Sequence, residues 1–293
     1  MAKTGKSRAL TPLGVHTSIA GGRHLSVERA IELGCTAMQI FGRNPRSWGV
    51  TPLLSVEAAL FRKAREKAGI WPVAVHTTYL INLCSPSEEL FDRSVGLFRD
   101  ELGIAGALGA DYLVTHLGSP GEMGGAYAVR RVLSALENAA SAARGKAEIL
   151  LENTSGAGSG FGSNLADIGL ILRAAEEMGV RAGLCFDTCH AFAAGYPMKT
   201  GDDIDELVKS IDAGVGLKRL KLIHLNDSKG EAGSRLDRHE HIGKGKIGAG
   251  GLALFLNRPE IKGIPLILET PKKDPGDDPR NLRAVGEIIK GDI

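Results

Sequence analysis

The sequence predicts a single α/β domain built as a closed (β/α)8 barrel. Short apolar runs typical of buried strands alternate with longer stretches of helical periodicity along the whole chain. There are eight strand-like runs, and no segment resembling a linker separates them. The length of 293 residues suits one barrel of this type, which needs about 250 residues.

The predicted elements follow one another in a regular order. The strands are 13–16, 37–41, 73–76, 112–116, 148–152, 182–187, 220–225 and 265–270. The helices are 26–33, 56–67, 87–108, 126–143, 165–178, 203–212 and 251–257, with a closing helix near 279–289. This alternation gives parallel strands joined by crossover helices. A doubly wound open sheet is the alternative, but the G-x-G-x-x-G spacing usual after its first strand is absent.

Composition sets the broad class of the protein. A net charge of +2 and a hydrophobic content of 43% are ordinary for a globular domain and select no class of partner. The four cysteines form no disulfide framework, so we expect reduced thiols and a cytoplasmic protein. We expect residues 1–10 to be a disordered tail without the apolar core of a secretory signal, and residues 11–293 to form the domain. No apolar run reaches the roughly 18 residues of a membrane span.

Ligand-type side chains stand at or just past the ends of six predicted strands. They are His76, His116, Glu152, Asp187, His224 and Glu269, and His190, Asp237 and His239 follow in the loops after two of these strands. The carboxyl ends of barrel strands surround one mouth. Two-residue alternation places Asp187 on the face of Cys185 and Glu269 on the face of Ile267, so both carboxylates point into that mouth. Converging carboxylates repel one another unless cations neutralise them, so the pattern indicates a multi-metal site.

The residue types indicate which metals would bind there. Imidazole and carboxylate without thiolate suit Zn²⁺, and also Mn²⁺, Fe²⁺ or Co²⁺. Because a carboxylate can bridge two ions, the nine ligand-type residues can serve three. Metal ions about 3.5–4 Å apart can activate a water, hold a phosphoryl oxygen and stabilise a leaving alkoxide.

Several motifs in one order give the chain a family resemblance. They are HTTYLINL at 76–83, ENT at 152–154 followed by GLCFDTCH at 183–190, HLNDSK at 224–229, and GSRLDRH at 233–239 running on to the glycines of 243–248. Over nearly its whole length the chain resembles endonuclease IV, the family of trinuclear-zinc apurinic/apyrimidinic endonucleases of base-excision DNA repair.

The resemblance implies a TIM barrel with three Zn²⁺ ions at the C-terminal ends of its strands, with Mn²⁺ or another divalent metal as an alternative at one site. The implied ligand sets are His76, His116 and Glu152 for one ion, Glu152, Asp187, His224 and Glu269 for a second, and His190, Asp237 and His239 for a third. The implied reaction is hydrolysis of the phosphodiester 5′ to an abasic site by a metal-bridging hydroxide, leaving a 3′-hydroxyl and a 5′-deoxyribose phosphate. Glu269 and Glu152 are the implied catalytic residues, and His16 resembles a histidine that lies behind the ligands.

The resemblance also implies double-stranded DNA as the partner and a monomeric protein. Tyr79 and Leu80 resemble residues that enter the duplex beside a flipped-out abasic nucleotide, and Arg46 resembles an arginine that enters the base stack. A sugar isomerase or epimerase on the same barrel is one alternative, because Glu152, Asp187, His224 and Glu269 alone would serve its two metals. The third ligand set and the wedge residues argue against it. A DNA-damage binder without activity is another alternative, but it would require a missing ligand.

Overall fold

The computed structural model describes residues 11–49, 52–142 and 147–291, and within them the strands close into a barrel. The barrel strands are β1 Leu13–His16, β2 Ala37–Phe41, β3 Val73–His76, β4 Tyr112–Thr115, β5 Glu148–Glu152, β6 Ala182–Asp187, β7 Leu220–His224 and β10 Leu266–Leu268. They pair in parallel in the order β1-β10-β7-β6-β5-β4-β3-β2. The predicted closed barrel is confirmed, and the open-sheet alternative is wrong because β1 pairs with both β2 and β10.

Helices follow the strands as the crossover pattern requires. They are α1 Arg23–Glu32, α2 Ser55–Ala68, α3 Glu88–Leu108, α4 Gly125–Ala142, α5 Leu165–Glu177, α6 Thr188–Ala194, α7 Gly201–Gly214, α8 Gly248–Leu256 and α9 Asp277–Lys290. Two short strands, β8 Asp227–Ser228 and β9 His239–Glu240, form a separate antiparallel pair after β7.

The main differences from the predicted elements lie at the site end of the barrel. Residues 116, 225 and 269–270 fall in loops rather than in strands, and the short helix α6 was not predicted. Helix α6 has only seven residues and is buried along six of them, so it lacks the one-sided apolar stripe that reveals a surface helix. It begins directly at the end of β6, where the Asp187 side chain accepts the His190 N–H at 2.7 Å as an N-cap.

Two apolar layers hold the barrel together. Side chains between the strands and the surrounding helices form the larger core, which includes Phe61, Phe98 and Phe255. The barrel interior is a separate cluster of one inward residue from each of seven strands: Ala37, Ala74, Val114, Leu150, Cys185, Leu222 and Ile267. On β1 this level is occupied by Gly14, where a Cβ would lie 1.8 Å from the Ala37 carbonyl oxygen. The interior is therefore filled, and the next level towards the carboxyl ends is where a site can form.

Other expectations concern the thiols, the membrane and the tail. All four cysteines are free and buried, as expected of reduced thiols. Among the described residues no helix combines the length and apolarity needed to cross a membrane. The tail predicted at 1–10 lies outside the described residues.

Candidate metal centre

A ring of eight polar side chains lies one level above the apolar interior of the barrel. Each follows an interior residue by two positions, so strand alternation turns it to the same side. The ring consists of His16, Gln39, His76, His116, Glu152, Asp187, His224 and Glu269. It thus contains the six strand-end ligands predicted from the sequence, His16, and one residue that the sequence did not single out, Gln39.

Glu152 is the hub of this ring. Its Oε2 lies 3.0 Å from His76 Nε2 and 3.6 Å from His116 Nε2. Its Oε1 lies 3.0 Å from His224 Nδ1 and 3.4 Å from His190 Nδ1. A fully buried carboxylate within reach of four imidazoles is the expected arrangement for a ligand shared between ions.

The candidate ligand atoms fall into three groups whose members lie within 4.8 Å of one another. These groups are His76, His116 and Glu152; Glu152, Asp187, His224 and Glu269; and Asp187, His190 and His239. The first two have the membership expected from the family resemblance. In the third, Asp187 stands where Asp237 was expected. Asp237 is nonetheless close, because its Oδ1 lies 3.2 Å from His190 Nε2 and 3.8 Å from His239 Nε2.

Three of the histidines are held in the orientation that a metal ligand needs. The Nδ1 atoms of His76, His190 and His239 lie 2.7, 3.0 and 3.0 Å from the carbonyl oxygens of Thr77, Asn153 and Glu269. A carbonyl only accepts, so each Nδ1 carries the proton, and the neutral ring then offers the Nε2 lone pair to the site. Without a cation, these lone pairs would face carboxylate oxygens at His76 and His190, and the buried His239 Nε2 would have no hydrogen-bond partner among the described residues. The donor set therefore fits divalent metal ions.

The electrostatics of the ring also favour cations. Burial alone would raise the pKa of Glu152, but its interactions with His116, His224 and His190 outweigh burial and hold the pKa well below 4.5. Conversely, burial would lower the pKa of His190, but the carboxylates of Asp187, Asp237 and Glu152 raise it well above 6.5. Carboxylates that remain ionised while stabilising positive charge form a region of negative potential in which metal ions are attracted.

Two buried asparagines orient the ligands from behind. Asn153 accepts the Asp187 N–H at 2.7 Å and donates to the Asp187 carbonyl oxygen at 3.0 Å. Asn226 donates to Asp187 Oδ2 at 2.7 Å and accepts the Glu269 N–H at 2.9 Å. Both belong to motifs noted in the sequence, but their contacts join strands distant in sequence and were not foreseen.

The loop that follows His239 and Glu240 is fixed by another carboxylate. Asp227 is fully buried and accepts the N–H groups of Gly245, Ile247 and Gly248 at 2.9 to 3.2 Å. A Cβ at Gly245 would lie 2.4 Å from the Ser228 carbonyl oxygen, which explains why the motif at 243–248 requires a glycine there. Asp227 therefore acts through the backbone of this loop and not as a ligand.

A cavity of about 1210 Å³ opens above the ring and gives it access to solvent. Tyr79 lines this cavity, is 65% exposed, and packs edge-on against Phe41 with ring centroids 5.3 Å apart. Leu80 follows it, half-buried, and Arg46 is exposed in the loop after β2. By contrast, a basic cluster of two lysines and one arginine at 218–221 lies at the start of β7, on the opposite end of the barrel from the ring.

Comparisons with known proteins agree with this architecture. The family model described as "Xylose isomerase-like TIM barrel" matches residues 27–290. Curated proteins called "Probable endonuclease 4" are 42% identical over 277 residues in Methanoculleus marisnigri (94% of this chain, 98% of that protein) and 40% identical over 260 residues in Halothermothrix orenii (89% and 93%). The crystal structure of endonuclease IV from Thermus thermophilus aligns with a TM-score of 0.85 at 38% identity, covering 96% of this chain and 99% of that one. A D-tagatose 3-epimerase-like protein, at 20% identity and a TM-score of 0.70, shares the fold alone.

Proposed function

We propose a function from one premise: this chain belongs to the endonuclease IV family of xylose isomerase-like TIM barrels. The proposed function is that of a DNA-repair endonuclease that hydrolyses the phosphodiester 5′ to an abasic site in duplex DNA. The products are a 3′-hydroxyl and a 5′-deoxyribose phosphate. The observation that carries this proposal is the presence of three overlapping ligand groups, rather than one or two, beneath an open cavity.

Three Zn²⁺ ions are the proposed cofactors, with Mn²⁺ or another divalent ion as an alternative at one site. His76, His116 and Glu152 would hold the first, Glu152, Asp187, His224 and Glu269 the second, and His190, Asp237 and His239 the third, with Asp187 also within reach of this third group. When bound, such ions supply Lewis-acid stabilisation of phosphoryl and leaving-group oxygens and activation of a water.

Glu152 and Glu269 have different roles in this proposal. Glu152 is fully buried at the hub, where its carboxylate would neutralise part of the charge of the bound ions. The side chain of Glu269 is 20% exposed and borders the cavity, with its Oε2 3.3 Å from His224 Nδ1. Glu269 is therefore in a position to accept a hydrogen bond from the attacking water and to orient it towards phosphorus.

The residues beside the cavity support DNA as the substrate. An abasic nucleotide has no base to unstack, so turning it into a cavity costs less than flipping a paired nucleotide. Tyr79 and Leu80 supply an aromatic and an apolar side chain that would fill the gap left in the duplex. Arg46 supplies an exposed cation in the loop after β2. We propose that the protein acts as a monomer on double-stranded DNA.

The test is incision of a duplex that carries one synthetic abasic site, with an intact duplex of the same sequence as control. Bound metals are counted in the same preparation, before and after chelation. We expect cleavage 5′ to the lesion, close to three metals per chain, and loss of cleavage on stripping. Glu269→Gln should abolish cleavage but leave abasic-DNA binding largely intact, whereas Glu206→Gln, on an exposed side chain of α7, should leave both unchanged. Two metals per chain, no incision and turnover of ketose sugars would instead identify an isomerase or epimerase.

A further inference from the structure

Gln39 is the member of the ring that neither metal ligation nor DNA contact explains. It lies on β2, fully buried, two residues after the interior residue Ala37. It is also the only glutamine among the 293 residues of the chain. A buried side-chain amide needs partners for its two N–H groups and its oxygen, so its surroundings reveal what it does.

The orientation of the Gln39 amide is fixed by its neighbours. Its Nε2 lies 2.7 Å from Glu269 Oε1, and an ionised carboxylate only accepts hydrogen bonds, so the NH₂ group must be on that side. The same nitrogen also lies 3.0 Å from His16 Nδ1, which is itself 3.4 Å from Glu269 Oε1. The amide oxygen is then left facing His224 Nε2 at 2.8 Å.

This orientation decides which nitrogen of His224 can bind a metal. An amide oxygen only accepts, so His224 Nε2 must carry a proton and donate it to Gln39. In the neutral ring the lone pair is then on Nδ1, which lies 3.0 Å from Glu152 Oε1 and 3.3 Å from Glu269 Oε2. His224 therefore presents Nδ1 to the site, whereas His76 and His190 present Nε2.

Gln39 restrains two ligands of the same candidate group at once. Its oxygen fixes the His224 ring, and its nitrogen engages Glu269 Oε1, which leaves Glu269 Oε2 on the side of His224 Nδ1. For His76, His190 and His239 the equivalent restraint comes from a backbone carbonyl, which a substitution does not remove. For His224 it comes from a side chain on another strand.

We propose that Gln39 is a positioning residue of the metal centre, which sets Nδ1 of His224 and Oε2 of Glu269 as the atoms offered to the ion held with Glu152 and Asp187. This inference rests on the proposed function only in taking the ring to be a metal site. It requires neither DNA nor an abasic substrate. Groups that hold a ligand from behind typically change metal affinity by about 10- to 100-fold when removed.

Because Gln39 is the only glutamine, the unaltered protein offers a direct test. Selective ¹⁵N-glutamine labelling gives a single pair of side-chain amide protons in an NMR spectrum. We expect both protons to exchange slowly with solvent, and their resonances to shift as Zn²⁺ is titrated into metal-stripped protein. A pair that exchanges as fast as free glutamine, or that does not move while zinc binds, would overturn the proposal.

A substitution gives a second, independent measurement. Gln39→Met keeps the length and approximate volume of the side chain but removes its hydrogen bonds. We expect one of the bound ions to dissociate about 10- to 100-fold more readily, with the others held as in the unaltered protein. Ser26→Ala, which removes a buried hydroxyl that donates to the Arg23 carbonyl oxygen at 2.5 Å on the neighbouring helix, is the matched control and should change no metal affinity.

The outcomes separate this proposal from the proposed function. Unchanged metal affinities in folded Gln39→Met, with abasic incision intact in the unaltered protein, would overturn the role of Gln39 alone. Absence of metal binding by the unaltered protein would overturn both. If Gln39→Met fails to fold, the labelled unaltered protein decides.

Discussion

Glu101 provides a quantitative prediction, because it is a fully buried carboxyl group on α3 without an ion-pair partner within 4.0 Å among the described residues. Its Oε1 accepts the Thr78 N–H at 3.2 Å, in the loop that carries Tyr79, and its buried Oε2 forms no hydrogen bond within the part of the chain that the structure describes. Burial raises the pKa of Glu101 from an ordinary 4.5 to about 7, against the opposing effects of the Thr78 N–H and the Arg43 charge.

Because the pKa of Glu101 is higher in the folded protein than in the unfolded chain, the free energy of unfolding depends on pH. Between pH 4.5 and 7 the unfolded chain loses the Glu101 proton while the folded protein keeps it. The unfolded state therefore binds fewer protons, so the stability contributed at this position is lost as pH rises through this window. With these two pKa values, the loss between pH 5 and pH 8 is about 2.5 kcal/mol.

Replacing Glu101 by Gln removes the titration but keeps an oxygen for the Thr78 N–H. We expect the stability of Glu101→Gln relative to the unaltered protein to increase by about 2.5 kcal/mol between pH 5 and pH 8. The free energy of unfolding is measured at each pH by urea unfolding, followed by tryptophan fluorescence. Every sample contains a chelator, so that metal release at low pH does not change the measured stability. Glu89→Gln, on an exposed side chain of the same helix, is the control and should show no such increase. If the free energies of unfolding of Glu101→Gln and the unaltered protein differ by the same amount at pH 5 and pH 8, the reasoning is refuted.

Three further predictions concern the barrel and the rim of the cavity above the ring. Gly14→Ala should destabilise the protein by about 3 kcal/mol in urea unfolding, because the new Cβ would lie 1.8 Å from the Ala37 carbonyl oxygen; a loss below about 0.5 kcal/mol would contradict the described contact between β1 and β2. Tyr79→Ala and Arg46→Ala should weaken binding to abasic duplex relative to intact duplex, while bound metal stays at the level of the unaltered protein; an equal loss of metal would make these residues structural. Affinity for abasic duplex should fall more than about tenfold between about 50 and 200 mM salt, and a flat response in a fluorescence titration would show that basic side chains of the protein do not contact the DNA phosphates.

The sequence by itself determined the fold class and most of the candidate ligands. Both predictions depend on patterns between residues close in sequence. The alternation of short apolar runs with helical patterns predicts parallel strands. Within a strand, a ligand-type residue two positions after an interior residue lies on the same face as that residue. The strand ends at Glu152, Asp187 and His224 could therefore be recognised without knowing which strands are neighbours. Helix α6 was not predicted, because its seven residues are too few and too uniformly buried to show the periodic apolar pattern of a surface helix.

Only the tertiary structure decided which ligands meet and what holds them. Asp187 reaches two of the candidate groups because β6 passes directly into α6, and that turn brings His190 back over the strand end. Gln39 looks like an ordinary strand residue in the sequence, and its partner His224 is 185 residues away. Closure of the barrel through the β1–β10 pairing brings their strands together around one mouth. Hydrogen-bond partners across a closed barrel depend on strand order and register, which local residue patterns do not specify.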